Sequence, residues 1–242
     1  MKVTSLFGGV QVINIIISIV KSKVIAILIG ATGMGIASLI NSSLSLIYGL
    51  TSFGLEKSAV KEISIANNKL ENERISKTIS VLKRLVWFTI VLGVVVILCF
   101  APWLSEFSFG NREYTVSFLW ISLALLFRCL TSSQLAILQG LRKLKSLAKA
   151  NLYGNIISLS LTLPLYYVYK LDAIVPVIIL STFISFIVTF YYTNNIGLNS
   201  NKISNKETLI KGRGMIELGF TLSVSSMLSL LGAYILQIFI SN

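Results

Sequence analysis

Residues 10–30 read VQVINIIISIVKSKVIAILIG, and the reading of this run decides the fold. At the helical rise, its 21 residues cross the hydrocarbon layer of a bilayer, about 30 Å thick. Counted from Val10, Lys21 lies roughly 16 Å in, near the midplane, where a cation is costly and persists mainly when it faces protein or a water-filled cavity. Gln11, Asn14, Ser18 and Lys21 recur at spacings of 3, 4 and 3, drawing one polar stripe along an Ile/Val-rich helix. The stripe is expected to face a lumen or another helix. A competing reading ends the helix near Lys23 and lets both lysines snorkel to the headgroups. The apolar run continues unbroken from Val24 to Gly30, which counts against it. Lys23 sits about 200° around the helix from Lys21, so the two cannot fully share the stripe. The run is also too long, and too rich in mid-run lysine, for the apolar core of a secretory signal.

A composition of 55% hydrophobic and 12% charged residues, with a mean hydropathy of +0.83, excludes an ordinary soluble domain. It indicates an all-α, polytopic membrane helical bundle. The net charge of +12 implies no nucleic-acid partner, because the basic residues are confined to short segments between apolar runs, as orientation signals are. Histidine is absent, which removes the commonest metal ligand and general base. Cys99 and Cys129 both lie in apolar segments and read as small core residues. No metal or cofactor is expected.

Working outward, the Gly30, Gly33 and Gly35 cluster makes a tight turn into a second span at residues 36–55. Residues 56–84 carry seven basic and four acidic side chains, with Ile75, Ile79 and Leu82 at helical spacing. They read as a loop holding an amphipathic surface helix, or as solvated extensions of the flanking helices. Further spans are expected at 85–103, ending at Pro102 and Trp103, then at 114–139, 151–169, 173–192 and 216–240. Phe107, Phe109 and Tyr114 suit an interface belt. Of 21 Lys and Arg, 16 fall in one alternate set of loops, two in the other and three within spans. That imbalance predicts a cytoplasmic N-terminus.

Later spans repeat the polar pattern of the first. Asn41, Ser45, Tyr48 and Ser52 align on the second, Asn155, Ser158, Thr162, Tyr166 and Tyr169 on the fifth, and Ser181, Ser185, Thr189 and Tyr192 on the sixth. Each stripe taken alone reads as interhelical glue. Taken together with unpaired cations, they indicate a bundle around a hydrated cavity. Arg128 lies roughly 16 Å from Gln139 along its helix, close to the depth reckoned for Lys21. No Asp or Glu falls in the middle of a span to partner either. Such cations call for an anionic guest, and a phosphate or pyrophosphate fits, since Arg offers a bidentate fork and Lys a mobile point charge. Backbone carbonyls, or residues outside this chain, are the competing partners. The candidate binding residues are therefore Lys21, Arg128, Lys23, Gln11, Asn14, Asn41 and Asn155.

The order of Lys21, the turn Gly30-Ala-Thr-Gly-Met-Gly35, Phe53-Gly54-Leu55, Phe109-Gly110-Asn111 and Gly140-Leu141-Arg142 resembles the polysaccharide (O-antigen) flippase branch of the multidrug/oligosaccharidyl-lipid/polysaccharide exporter superfamily. That resemblance implies two six-helix lobes with both termini cytoplasmic. The implied activity moves undecaprenyl-diphosphate-linked oligosaccharide from the cytoplasmic to the periplasmic leaflet of a bacterial inner membrane, for O-antigen and lipopolysaccharide synthesis. It also implies that cations in a central cavity, here Lys21 and Arg128, meet the diphosphate and sugars, with a polysaccharide polymerase and a chain-length regulator as partners beside the membrane lipids. The chain then divides into a six-helix lobe at 1–193, a cytoplasmic interlobe loop at 194–215, and at 216–242 a seventh helix that opens a second, missing lobe.

Alternating access about a midplane cavity is the mechanism this implies, with no covalent chemistry and so no enzyme. Two other functions compete. A cation-coupled multidrug exporter is expected to carry an intramembrane carboxylate in its first lobe, and none is seen. A glycosyltransferase or polymerase on the same lipid carrier needs a carboxylate pair, a His base or a metal site, whereas Glu106, Glu113 and Asp172 are scattered.

Overall fold

A backbone crossing hydrocarbon must satisfy its own hydrogen bonds, so apolar runs of this length fold as helices. The computed structural model describes residues 2–196 and 205–241, and every regular element among them is helical. In chain order these are α1 (Lys2–Thr51), α2 (Leu55–Asn68), α3 (Asn72–Phe109), α4 (Thr115–Gly140), α5 (Leu144–Tyr169), α6 (Ile174–Asn194) and α7 (Asn205–Ser241). A 3₁₀ turn, Lys170–Ala173, joins α5 to α6. Four stretches, Gly9–Thr51, Asn72–Phe109, Thr115–Gly140 and Leu144–Asn194, are long and apolar enough to cross a membrane. The first breaks at Gly30 and the last at the 3₁₀ turn, so each is two arms. α7 adds a further candidate, bent by 49° between Gly212–Val224 and Ser226–Phe239. The polytopic helical bundle read from the sequence is the fold observed.

Gly30 turns the chain back on itself. Its φ of 71° and ψ of −176° interrupt α1, a conformation that costs glycine little. The arm before it, residues 2–29, meets α5 where the Asn155 amide nitrogen donates to the Asn14 side-chain oxygen at 3.0 Å. The arm after it, residues 31–51, meets α4 where Arg128 donates to Ser45 Oγ at 3.0 Å. Asn155 and Arg128 lie 11 and 12 residues from the short turn between α4 and α5. Both arms therefore run from Gly30 toward that turn, and together they form a hairpin. The turns at Gly30, at 110–114 and at 170–173 cluster on one face, where Ile36, Tyr114 and Asp172 line a shared cavity. The opposite face carries Lys57, Lys61, Arg142 and Lys143 and is called the basic face below.

Several boundaries differ from expectation. Residues 56–84 extend the flanking helices, as α2 after a break and as the first turns of α3, but one face of each extension is buried and not solvated. Phe53 and Gly54 take positive φ and break the helix, after which α2 continues inward with Ala59, Ile63 and Ala66 fully buried. Ile75, Ile79 and Leu82 are buried too, on the inner face of α3. Only the outer faces are wet, where Arg74 pairs with Glu62 and Glu71 at 3.2 and 3.3 Å. α3 continues past Pro102 to Phe109 and stops at Gly110, whose φ is 69°. Cys129 is a core residue as expected, but Cys99 is exposed on the outer side of α3. The expected loop at 194–215 is helical from Asn205 onward, while its Lys202 lies outside the described residues.

α7 seats on the second arm of α1, on α2 and on α3. A Cβ on Gly54 would fall 2.2 Å from the Gly219 carbonyl oxygen, and one on Gly219 would fall 2.5 Å from the Phe53 carbonyl oxygen. Two glycines thus let the backbones touch. Lys57 donates to the Leu222 carbonyl at 3.2 Å and to Ser226 Oγ at 2.8 Å, spanning the bend of α7. Deeper in, the buried Tyr234 hydroxyl joins Ser43 at 3.1 Å and Ser108 at 2.7 Å.

Candidate functional site

Arg128 is half-buried on α4 and faces the second arm of α1. Its guanidinium carbon lies 5.1 Å from the centre of the Tyr48 ring, a cation–π distance. Tyr48 in turn donates its hydroxyl to a Glu56 carboxylate oxygen at the start of α2. Ser45, which accepts from Arg128, donates onward to the Asn41 carbonyl at 2.8 Å. No carboxylate comes within ion-pair distance of Arg128 among the described residues. Glu56 bonds to Tyr48 and forms no ion pair with the guanidinium. The cation is fixed in place with donor capacity to spare, which is what bidentate phosphate recognition needs.

Lys21 lies on the first arm, half-buried, on the face turned to α5. It has no hydrogen-bond or ion-pair partner among the described residues. Asn14 and Asn155, predicted on separate stripes, are brought together by their direct hydrogen bond. Gln11 and Ser18 are exposed along the edge of the same seam. Lys23 is exposed on the side of the arm away from α5, so it does not join the others. Asn41 is exposed and donates to its own helix, at the Ala37 carbonyl, 2.8 Å away.

The levels of Lys21 and Arg128 along the bundle differ from the common depth expected. α1 begins at Lys2 and not at Val10, which adds about 12 Å of helix below the apolar run. In helix register it is Asn14, through Asn155, that stands level with Arg128. Lys21 lies seven residues farther, about 10 Å nearer the Gly30 face. On the α6 stripe, Ser181, Ser185 and Thr189 all bond to carbonyls of their own helix. Their role is structural, as for most membrane hydroxyls.

Two cavities flank these groups. On the basic side, a hollow of about 400 Å³ is lined by Glu56, Lys57, Val60, Ser132, Leu135 and Gln139. On the Gly30 side, a larger groove of about 970 Å³ is walled by Ile36, Ile40, Phe127, Leu165, Ile179 and Phe183 among others. Neither Arg128 nor Lys21 lines the larger groove, which suits hydrocarbon rather than a charged group.

A family model described as polysaccharide biosynthesis protein matches residues 2–242. The chain belongs to that family. No curated protein and no solved structure matches it. Members of the polysaccharide biosynthesis family are transporters that handle lipid-linked precursors, so this multi-pass membrane protein has a transport role in polysaccharide biosynthesis. Against that role, Tyr48 and Glu56 are the residues that the sequence does not single out. Tyr48 stands on the second-arm stripe, but its link to Glu56 crosses the break at Phe53 and Gly54 and is invisible to helical spacing.

Proposed function

We propose that this protein flips undecaprenyl-diphosphate-linked oligosaccharide repeat units from the cytoplasmic to the periplasmic leaflet of a bacterial inner membrane, for O-antigen or related surface polysaccharide. The N-terminus and the basic face are cytoplasmic in this reading, and access alternates between the two faces. Carrying a charged, sugar-bearing headgroup through hydrocarbon unaided is prohibitive, so a path lined with cations and amides is needed. Arg128, held by Ser45 and Tyr48 without a carboxylate partner, is the observation that carries the proposal. Lys21 supplies a second charge, while Asn14, Asn155, Asn41 and Gln11 offer amides to the sugars.

Six helix arms make a first lobe at 1–193, and α7 (Asn205–Ser241) begins a second lobe. The polysaccharide polymerase and the chain-length regulator would receive the product. The test is genetic. A strain lacking the protein is expected to accumulate lipid-linked oligosaccharide and to be rescued by the wild type. Rescue should fall at least tenfold with Arg128→Ala and be weakened by Lys21→Ala. Full rescue by both variants would overturn the charge assignment.

A further inference from the structure

We propose that Arg128 and Lys21 serve one anionic headgroup in succession, Arg128 as a fixed docking station near the basic face and Lys21 as a mobile second station nearer the Gly30 face. The inference rests on the flippase reading above and adds an order of events to it. Two observations carry it, one of position and one of restraint.

Position comes from the two cross-links that set the register of the α1 arms. Asn14 is tied to Asn155 and Ser45 to Arg128, and both ties stand 11 to 12 residues from the α4–α5 turn. Lys21 is two helical turns beyond Asn14, an axial offset of about 10 Å. A single clamp, with both cations closed on one phosphate group, needs them side by side. Here they are offset along the axis that joins the two faces. Ile25 and Ile29, the next residues of the arm toward Gly30, are buried in the same apolar cluster as Ile40 and Leu44. On the α5-facing side of the arm, Lys21 is thus the last charge before the hydrophobic closure, Lys23 being turned the other way.

Restraint separates the two cations equally clearly. The guanidinium is bonded to Ser45, lies over the Tyr48 ring, and that ring is itself anchored to Glu56. It cannot follow a departing guest. Lys21 has no partner among the described residues and sits on an arm whose described lower half is unburied. A helical side chain leans toward its helix N-terminus, which on this arm means toward the level of Arg128. Its four-carbon stem can therefore reach back to meet the anion and swing onward with it. A planar, rigid donor reads the headgroup, and a flexible point charge passes it on.

Farnesyl diphosphate, a short polyprenyl diphosphate, tests this with the purified full chain in nanodiscs by titration calorimetry. Arg128→Ala is expected to weaken binding at least tenfold, whereas Lys21→Ala weakens it less than about twofold while Arg128 is present. In the Arg128→Ala background, adding Lys21→Ala should abolish the residual binding. Equal losses from the two single variants would mean a simultaneous clamp and would overturn the succession. No effect of Lys21→Ala in either background would remove Lys21 as a station and overturn it as well. Should Arg128→Ala not fold, Arg128→Lys keeps the charge, loses the fork and is expected to show the same ordering at smaller amplitude. Failure of the wild type to bind the probe at all would refute the parent flippase reading instead.

Discussion

The two arms of α1 have similar compositions and opposite circumstances. In the first, the described side chains are buried only at Ile25 and Ile29, beside the Gly30 turn, and most of the rest stand exposed along one side of α5. In the second, Leu39, Ile40, Ser43, Leu44, Ile47 and Thr51 are all buried between α3, α4 and α7. Polar residues of the second arm are cross-linked, Ser38 to Gln237, Ser43 to Tyr234 and Ser45 to Arg128. On the first arm the one such link among the described residues is Asn14 with Asn155. A polar stripe thus means two different things in one helix pair. Where neighbours box it in, it is mortar. Where they do not, it is surface offered to a guest or to a second lobe.

The contrast can be broken most severely at the junction that seats α7 on the end of the second arm. Gly54→Val is expected to leave no folded protein, because φ of 59° and contact with the Gly219 backbone both exclude a branched side chain. Expression followed by size-exclusion chromatography reads this directly. The arms themselves should then differ: Leu44→Ala, at a site 1% exposed, is expected to lower stability by about 2 kcal/mol or more through its cavity. Ile16→Ala, 54% exposed on the first arm, should change it by less than about 0.5 kcal/mol. Parallel SDS or thermal unfolding of the two variants makes the comparison, and similar losses would erase the distinction.

Smaller effects sharpen the picture. Tyr234→Phe removes the hydroxyl shared by Ser43 and Ser108 and is expected to cost about 1 kcal/mol in the same assay. A double-mutant cycle between Asn14→Ala and Asn155→Ala should give a coupling of about 0.6 kcal/mol, typical of a polar contact between membrane helices. A coupling near zero would show that the first arm is not held there.

Much of this was legible in the chain because hydropathy marks a span without ambiguity once twenty apolar residues run together. The hairpin at Gly30 followed from glycine spacing, and the α5–α6 turn from the break at 170–172. α2 was not legible, since fourteen amphipathic residues with four charges look alike on a membrane surface or against a bundle. Only Gly54, by redirecting the chain inward, decides between them. The offset in level between Lys21 and Arg128 was not legible for a related reason. The helix starts in polar sequence at Lys2, and the apolar run marks the span but not the helix end. The Tyr48–Glu56 contact crosses a break in register, so periodicity could not propose it. Arg128 and Lys21 themselves were legible, because a cation inside an apolar run stands out whatever surrounds it.

The most direct test of the central claim is which polyprenyl lipid the purified protein retains, read by native mass spectrometry after exposure to equimolar undecaprenyl diphosphate and undecaprenol. Retention of the diphosphate form by the wild type, lost in Arg128→Ala, is the predicted result. Equal retention of the uncharged alcohol, unchanged by that substitution, would contradict an anion site built on Arg128.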